Sequence, residues 1–162
     1  MRRRLSLLLL EFVAITASLV VLWKLWGHDA YLDFFRSAAR PFLDLLGVKR
    51  IPVMLVGSRF VNFVPFFALM MVTPGLSARR RGIGILVGLV LIFACHIAFT
   101  AVAYHVMDSY GTSAKAFSAL FPALLIFDSV PFVIWAVVAH EFVRDVGSRA
   151  WRKIAPPSEE TG

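Results

Sequence analysis

The sequence predicts an all-α membrane protein: a bundle of four transmembrane helices with an amphipathic interfacial helix after the first span. Three observations predict it. Of the 162 residues, 59% are hydrophobic and 17% charged, against about a quarter charged in soluble domains. The charges gather in short clusters and leave long uncharged runs of the length that crosses a bilayer. The basic clusters flank those runs, where orientation signals sit. The net charge of +7 therefore belongs to membrane topology, and nucleic acid is not an expected partner.

Met1 to Arg4 form a basic cluster ahead of the first apolar run, residues 5–26. A run this long, carrying Glu11 and lacking a small-x-small cleavage motif, predicts an uncleaved signal-anchor. Residues 31–47 follow, with Phe34, Phe35, Ala38, Phe42, Leu45 and Leu46 on one helical face. Asp33, Arg36, Arg40 and Asp44 fall on the other. This pattern places the helix flat at the membrane surface or packed on the spans, two positions that are compatible.

The second span, residues 55–76, is interrupted. From Phe60 to Val72 an α-helix rises roughly 20 Å, short of the ~30 Å hydrocarbon core. The helix therefore has to begin near or before Arg59, or run past Pro74. Thr73-Pro74-Gly75 is the breaker that closes it. Arg79, Arg80 and Arg81 form a basic turn. Residues 83–106 make the third span, with Gly84 and Gly88 four apart, a spacing that lets a neighbouring helix approach closely. A short polar loop leads to the fourth span, residues 117–139, expected to bend at Pro131, where an amide donor is missing. His140-Glu141 is expected as a solvated helix end. Residues 144–162 form a tail, basic first and disordered in its final Ala-Pro-Pro-Ser-Glu-Glu-Thr-Gly stretch.

Four spans put Arg2, Arg3, Arg4, the arginine turn and the four basic residues of the tail on one side. That side holds ten of the 17 Lys and Arg residues. The excess makes it cytoplasmic, so both termini are expected there.

Ionisable residues at membrane depth are functional-site candidates by default. His96 and Asp128 each lie about thirteen residues, or roughly 20 Å, from the cytoplasmic ends of neighbouring antiparallel spans. They are expected to meet as a buried polar pair. One role for such a pair is proton handling or substrate polarisation, because histidine titrates near neutrality. The other is a structural clasp, worth below about 1 kcal/mol. Arg59 and Asn62, three apart, share a helical face near the outer surface, with His105 at the same level on the third span. They suit a carboxylate or lipid phosphate, or an interfacial anchor. The single Cys95 rules out an intrachain disulfide framework or thiolate metal cluster. Its side chain points about 100° away from that of His96, so the two form no dyad by themselves. No metal, cofactor or catalytic set is expected.

Residues 59–100 combine a span, a Pro-Gly break, an arginine turn and a glycine-bearing span: RFVNFVPFFALMMVTPGLSARRRGIGILVGLVLIFACHIAF and onward. This outline resembles the core of the exosortase/archaeosortase superfamily, membrane enzymes that process C-terminally tagged exported proteins. In those enzymes a Cys-Ser-Gly motif opens the first of these spans, and an Asn-x-x-Arg motif lies towards the end of the second, with a histidine beyond. Here the first position reads Val56-Gly57-Ser58, without cysteine, and the second His96-Ile97-Ala98-Phe99, without arginine. His105 alone is placed to match the histidine. The resemblance therefore implies no transpeptidase activity. It implies similarity to the small multi-span companions of such systems, such as exosortase H-associated membrane proteins, in a bacterial inner membrane.

The leading expectation is a non-catalytic accessory or assembly subunit of an envelope or export-related system. Its expected partners are membrane lipid and a larger membrane protein or further copies of itself. One alternative is a small transporter or channel subunit using His96 and Asp128. The other is a membrane-embedded enzyme acting on lipid or peptide at the outer face through Arg59, Asn62 and His105.

Overall fold

The computed structural model describes residues 5–154. Arg2, Arg3 and Arg4, and the stretch 155–162 with the disorder expected of it, lie outside the described residues. Among the described residues eight α-helices follow in order: α1 (Leu5–Leu22), α2 (His28–Ala38), α3 (Arg40–Leu45), α4 (Val53–Val56), α5 (Phe63–Val72), α6 (Ala78–Tyr110), α7 (Ala114–Val138) and α8 (His140–Ile154). A π-helical turn, Trp23–Gly27, joins α1 to α2, and a 3-10 segment, Gly57–Asn62, joins α4 to α5. No strand occurs among the described residues. Three continuous helices are long and apolar enough to cross a membrane: Ser6–Ala38, Ala78–Tyr110 and Ala114–Val138. Gly57–Val72 is a shorter apolar helix.

The first of these does not stop near residue 26, where hydropathy falls. The amide of His28 donates to the carbonyl of Trp23, so the backbone ladder continues through one wide turn. Such an insertion is a recognised cause of helix bending. Gly27 leaves room there for the Trp23 ring: a Cβ would lie a tight 3.0 Å from Cε3 of Trp23. Helix α2 then lays Leu32 and Phe35 into the core, and α3 adds Leu43 with Ala39 between them. Their neighbours are Val56, Phe60, Phe99 and Ala103. The stretch expected as an interfacial helix over 31–47 thus packs on the bundle through residues 32, 35, 39 and 43, a helical repeat. Phe34, Phe42 and Leu45 remain exposed on its flank.

Helix α5 is short but central, packing against α1, α6 and α7. Its Phe66 ring covers Gly88, where a Cβ would overlap ring carbons. At Gly84 a Cβ would sit 2.8 Å from Met70 Cε and from a Val138 methyl. Phe66, Met70, Ile92 and Ile134 form the core at this end. Helices α6 and α7 pair closely, joined by a turn in which Gly111 takes φ +62. Ser77 caps α6 by accepting from the Arg80 amide, and Ser113 caps α7 by accepting from the Ala116 amide, each satisfying an amide that the helix leaves orphaned. Helix α7 runs unbroken through Pro122 and Pro131. Helix α5 ends where Thr73 turns extended, and Gly75 follows at φ +81. The basic part of the expected tail is helical, in α8.

The contact at Gly88 gives a clean test. Gly88→Ala is expected to destabilise the protein by about 1–3 kcal/mol, as overpacking does. Gly82→Ala, facing open space, leaves stability unchanged, and Phe66→Leu in the Gly88→Ala background restores part of the loss. Unfolding followed in detergent micelles measures all three.

Candidate functional site

The 3-10 segment supplies the polar geometry between the long apolar helices. With three residues per turn, positions i and i+3 eclipse. Arg59 and Asn62 therefore stand in one row, and Phe60 and Phe63 in the next. The first row meets Asp128 of α7: Arg59 Nη1 donates to Oδ2 at 2.8 Å and Asn62 Nδ2 donates to Oδ1 at 3.1 Å. Both carboxylate oxygens are engaged, and the Arg59 bond is an ion pair. Such charge-assisted bonds are the stronger class. Asp128 lies roughly 21 Å from the start of α7 and roughly 15 Å from its end, so the pair sits at mid-helix depth. It is not enclosed, because both side chains are 38% exposed on the flank of the bundle.

The second row meets His96 of α6. The Phe60 and Phe63 rings lie 4.9 and 5.1 Å from the imidazole, centroid to centroid, and Tyr31 lies at 5.7 Å. The Tyr31 hydroxyl and His96 Nδ1 share a hydrogen bond of 2.9 Å. His96 is buried, and its Nε2 has no hydrogen-bond partner among the described residues. His96 and Asp128, expected to meet, are thus given different partners. Their depths along α6 and α7 set only one coordinate. The segment 59–63 enters between them and offers a polar row to one and an aromatic row to the other.

His105 is also placed apart from Arg59 and Asn62. Its Nε2 donates to the carbonyl of Leu46 at 3.0 Å, pinning the turn after α3 in which Gly47 takes φ +74. Cys95, partly buried, stands beside His96 in sequence only. No group of three or more His, Cys, Asp or Glu residues among the described residues is placed to hold a metal ion.

A further polar knot closes the end of the bundle where α5, α6 and α7 meet α8. Thr73 Oγ1 donates to the Leu69 carbonyl and accepts from Trp135 Nε1 at 2.8 Å. Arg81 donates to the Thr73 carbonyl at 3.1 Å. Next to it Arg80 bonds Glu141 Oε1 at 3.1 Å and His140 Nδ1 at 2.9 Å. The sequence offers the arginine turn and the threonine before a proline, but no sign of which residues they would reach. The hydrogen bond and charge of Arg80 hold the Glu141 carboxyl below its ordinary value, with smaller help from His140 and Arg144.

Fold and cluster together define a class: an all-helical protein with three helices built for a membrane and an arginine–aspartate pair among them. The chain matches no family model, no curated protein and no solved structure.

Two outcomes follow. Removing one member of the pair leaves an uncompensated charge, whereas removing both leaves none. Asp128→Leu or Arg59→Leu alone is therefore expected to destabilise more than the double variant. The coupling should be on the order of 1–3 kcal/mol in a double-mutant cycle of unfolding in detergent. Separately, the Glu141 shift is downward, so the stabilising Arg80 contact is complete above the ordinary glutamate range and fades only as pH falls through the lowered folded-state value. Carboxyl resonances should show Glu141 titrating below an unperturbed glutamate, and Arg80→Gln should return it upward.

Proposed function

We propose that the protein is a four-crossing protein of a bacterial inner membrane, with both termini cytoplasmic. In this reading it serves as a non-catalytic accessory or assembly subunit of an export-related, exosortase-like system. The second crossing is the broken one. Helix α4, the 3-10 segment and α5 rise roughly 33 Å together if nearly collinear, enough for the ~30 Å hydrocarbon core. Four crossings return the chain to the side of Arg79, Arg80 and Arg81, the densest basic turn.

One observation carries the role: the Arg59–Asp128–Asn62 cluster opens sideways at mid-helix depth. Leu125 and Phe132, on the same face of α7 as Asp128, are exposed apolar residues, suited to lipid or to another helix. A charged pair partly open to hydrocarbon is costly, and intramembrane charges almost always face protein or water. A partner helix that covers the pair removes that cost and can add a hydrogen bond to the carboxylate. The transporter and enzyme readings lean on constellations that these contacts divide. His96 is bonded to Tyr31, and His105 to the Leu46 carbonyl.

The tagged protein, extracted in mild detergent, is expected to co-purify with a larger membrane protein. Arg59→Leu/Asp128→Leu, which removes the polar contact, should release it while circular dichroism still reads the wild-type helix content. Reporter fusions at the two ends should both read cytoplasmic. Reporters in opposite compartments, or wild-type protein that purifies alone and transports a solute in liposomes, would defeat the proposal.

A further inference from the structure

Among the described residues, helix α8 is the long element with the most two-sided sequence. Phe142, Val143, Val146 and Ala150 recur at three- and four-residue spacings, Trp151 widens the apolar arc by one further position, and charged residues fill positions between. The apolar side is used in two parts. Phe142 and Val146 line a cavity of about 340 Å³ with Leu8, Phe12, Thr73 and Phe132, so the first turns of α8 stay against the bundle. The Phe142 ring also lies 6.3 Å from that of Trp135. Val143, Ala150 and Trp151 are left exposed, Trp151 by 71%.

The level of the helix is fixed by its first turn. Glu141 is bonded to Arg80 in the basic turn that opens α6, and His140 follows directly on the crossing helix α7. That is the depth at which a membrane meets water. Charge supplies the identity of what covers the exposed face. The sequence places Arg144, Arg149, Arg152 and Lys153 on α8 against Glu141 and Asp145, and Arg79 stands exposed on the neighbouring turn. A helix that is mostly polar and net basic in sequence, with an exposed tryptophan, matches the composition of helices that lie in an anionic lipid interface.

We propose that α8 binds a bilayer surface rich in anionic phospholipid. Val143, Ala150 and Trp151 enter the boundary between headgroups and acyl chains, and the positive charge of this end of the bundle is set against the headgroups. The helix then acts as a lipid-composition sensor at the end of the last crossing. It also steadies the Thr73–Arg81–Trp135 knot beside it.

The test uses the full chain in nanodiscs, either of phosphatidylcholine alone or of phosphatidylcholine mixed with phosphatidylglycerol, each carrying the same fraction of brominated-acyl lipid. The Trp151 signal is obtained by subtracting the emission of Trp151→Phe, an exposed position whose change spares the fold. In mixed discs Trp151 should emit further to the blue and be quenched by the brominated lipid. Arg144→Glu/Arg149→Glu/Arg152→Glu should lose that quenching. High salt should weaken it in the wild type, a reading that stands even where the triple variant does not fold. Quenching by aqueous iodide in both discs, with none by lipid, overturns the proposal. Shielding from both quenchers overturns it in favour of a protein neighbour, and equal lipid quenching in both discs overturns the selection by charge.

Discussion

In hydrocarbon no water is present to complete a broken hydrogen bond, so each irregular stretch of chain must find its partners within the protein. With 53–72 as the proposed broken crossing, the segment 57–62 is where that constraint acts hardest. A tighter helix there gives up regular α-helical bonds, and it places a guanidinium among apolar helices. The Asp128 carboxylate answers both Arg59 and Asn62, so one acidic group stabilises the arginine and holds the orientation of the break. The course of α5, and with it the packing of Phe66 on Gly88 and Met70 on Gly84, depends on where that break is held.

The two glycines show how little space the centre has. Helix α5 lies between α1 on one side and α6 and α7 on the other, and it approaches α6 where α6 has no side chain. The opposite end is built differently, from aromatic rings. Tyr31, Phe60 and Phe63 surround His96, and Phe35 and Phe93 extend the cluster through tilted and edge-on contacts beside the bend after Trp23. Offset and edge-on ring contacts add to burial and favour particular geometries. The bend is thus set by ring packing as well as by the wide turn itself.

The long helices were legible because a run of apolar residues needs no periodicity to announce a span. Residues 83–106 and 117–139 fall inside α6 and α7, save the last residue of the second run. Hydropathy marks where a chain leaves oil, however, and not where its backbone ladder stops. That is why the first helix continues past Trp26, through His28 and Asp29, to Ala38. The two-sided pattern of 142, 143, 146, 150 and 151 was present in the sequence, but the density of basic residues concealed it as a tail. At the site, the types of Arg59, Asn62, His96 and Asp128 were visible, but Arg59 and Asn62, expected near the outer surface, meet Asp128 at mid-helix depth. The pairing was not visible, because a sequence gives position along a helix axis and leaves the angle about that axis to packing.

That angle has one local origin. In an α-helix, residues 59 and 62 would be offset by some 60° about the axis and residues 60 and 63 likewise. The polar and aromatic rows would then wind around the helix. At three residues per turn they run straight, so one side of a short segment is polar along its length and the adjacent side aromatic. Such a segment separates two polar groups of similar depth. The carboxylate of α7 receives donors, while the imidazole of α6 receives ring faces and edges and the Tyr31 hydroxyl. A change that relaxed 57–62 into a regular α-helix would rotate Asn62 relative to Arg59 and leave Asp128 with one donor in place of two. The two polar contacts are therefore opposite readings of a single backbone feature. A backbone shift that carries Arg59 away from Asp128 also moves Phe60, its neighbour in the chain, and through it the environment of His96.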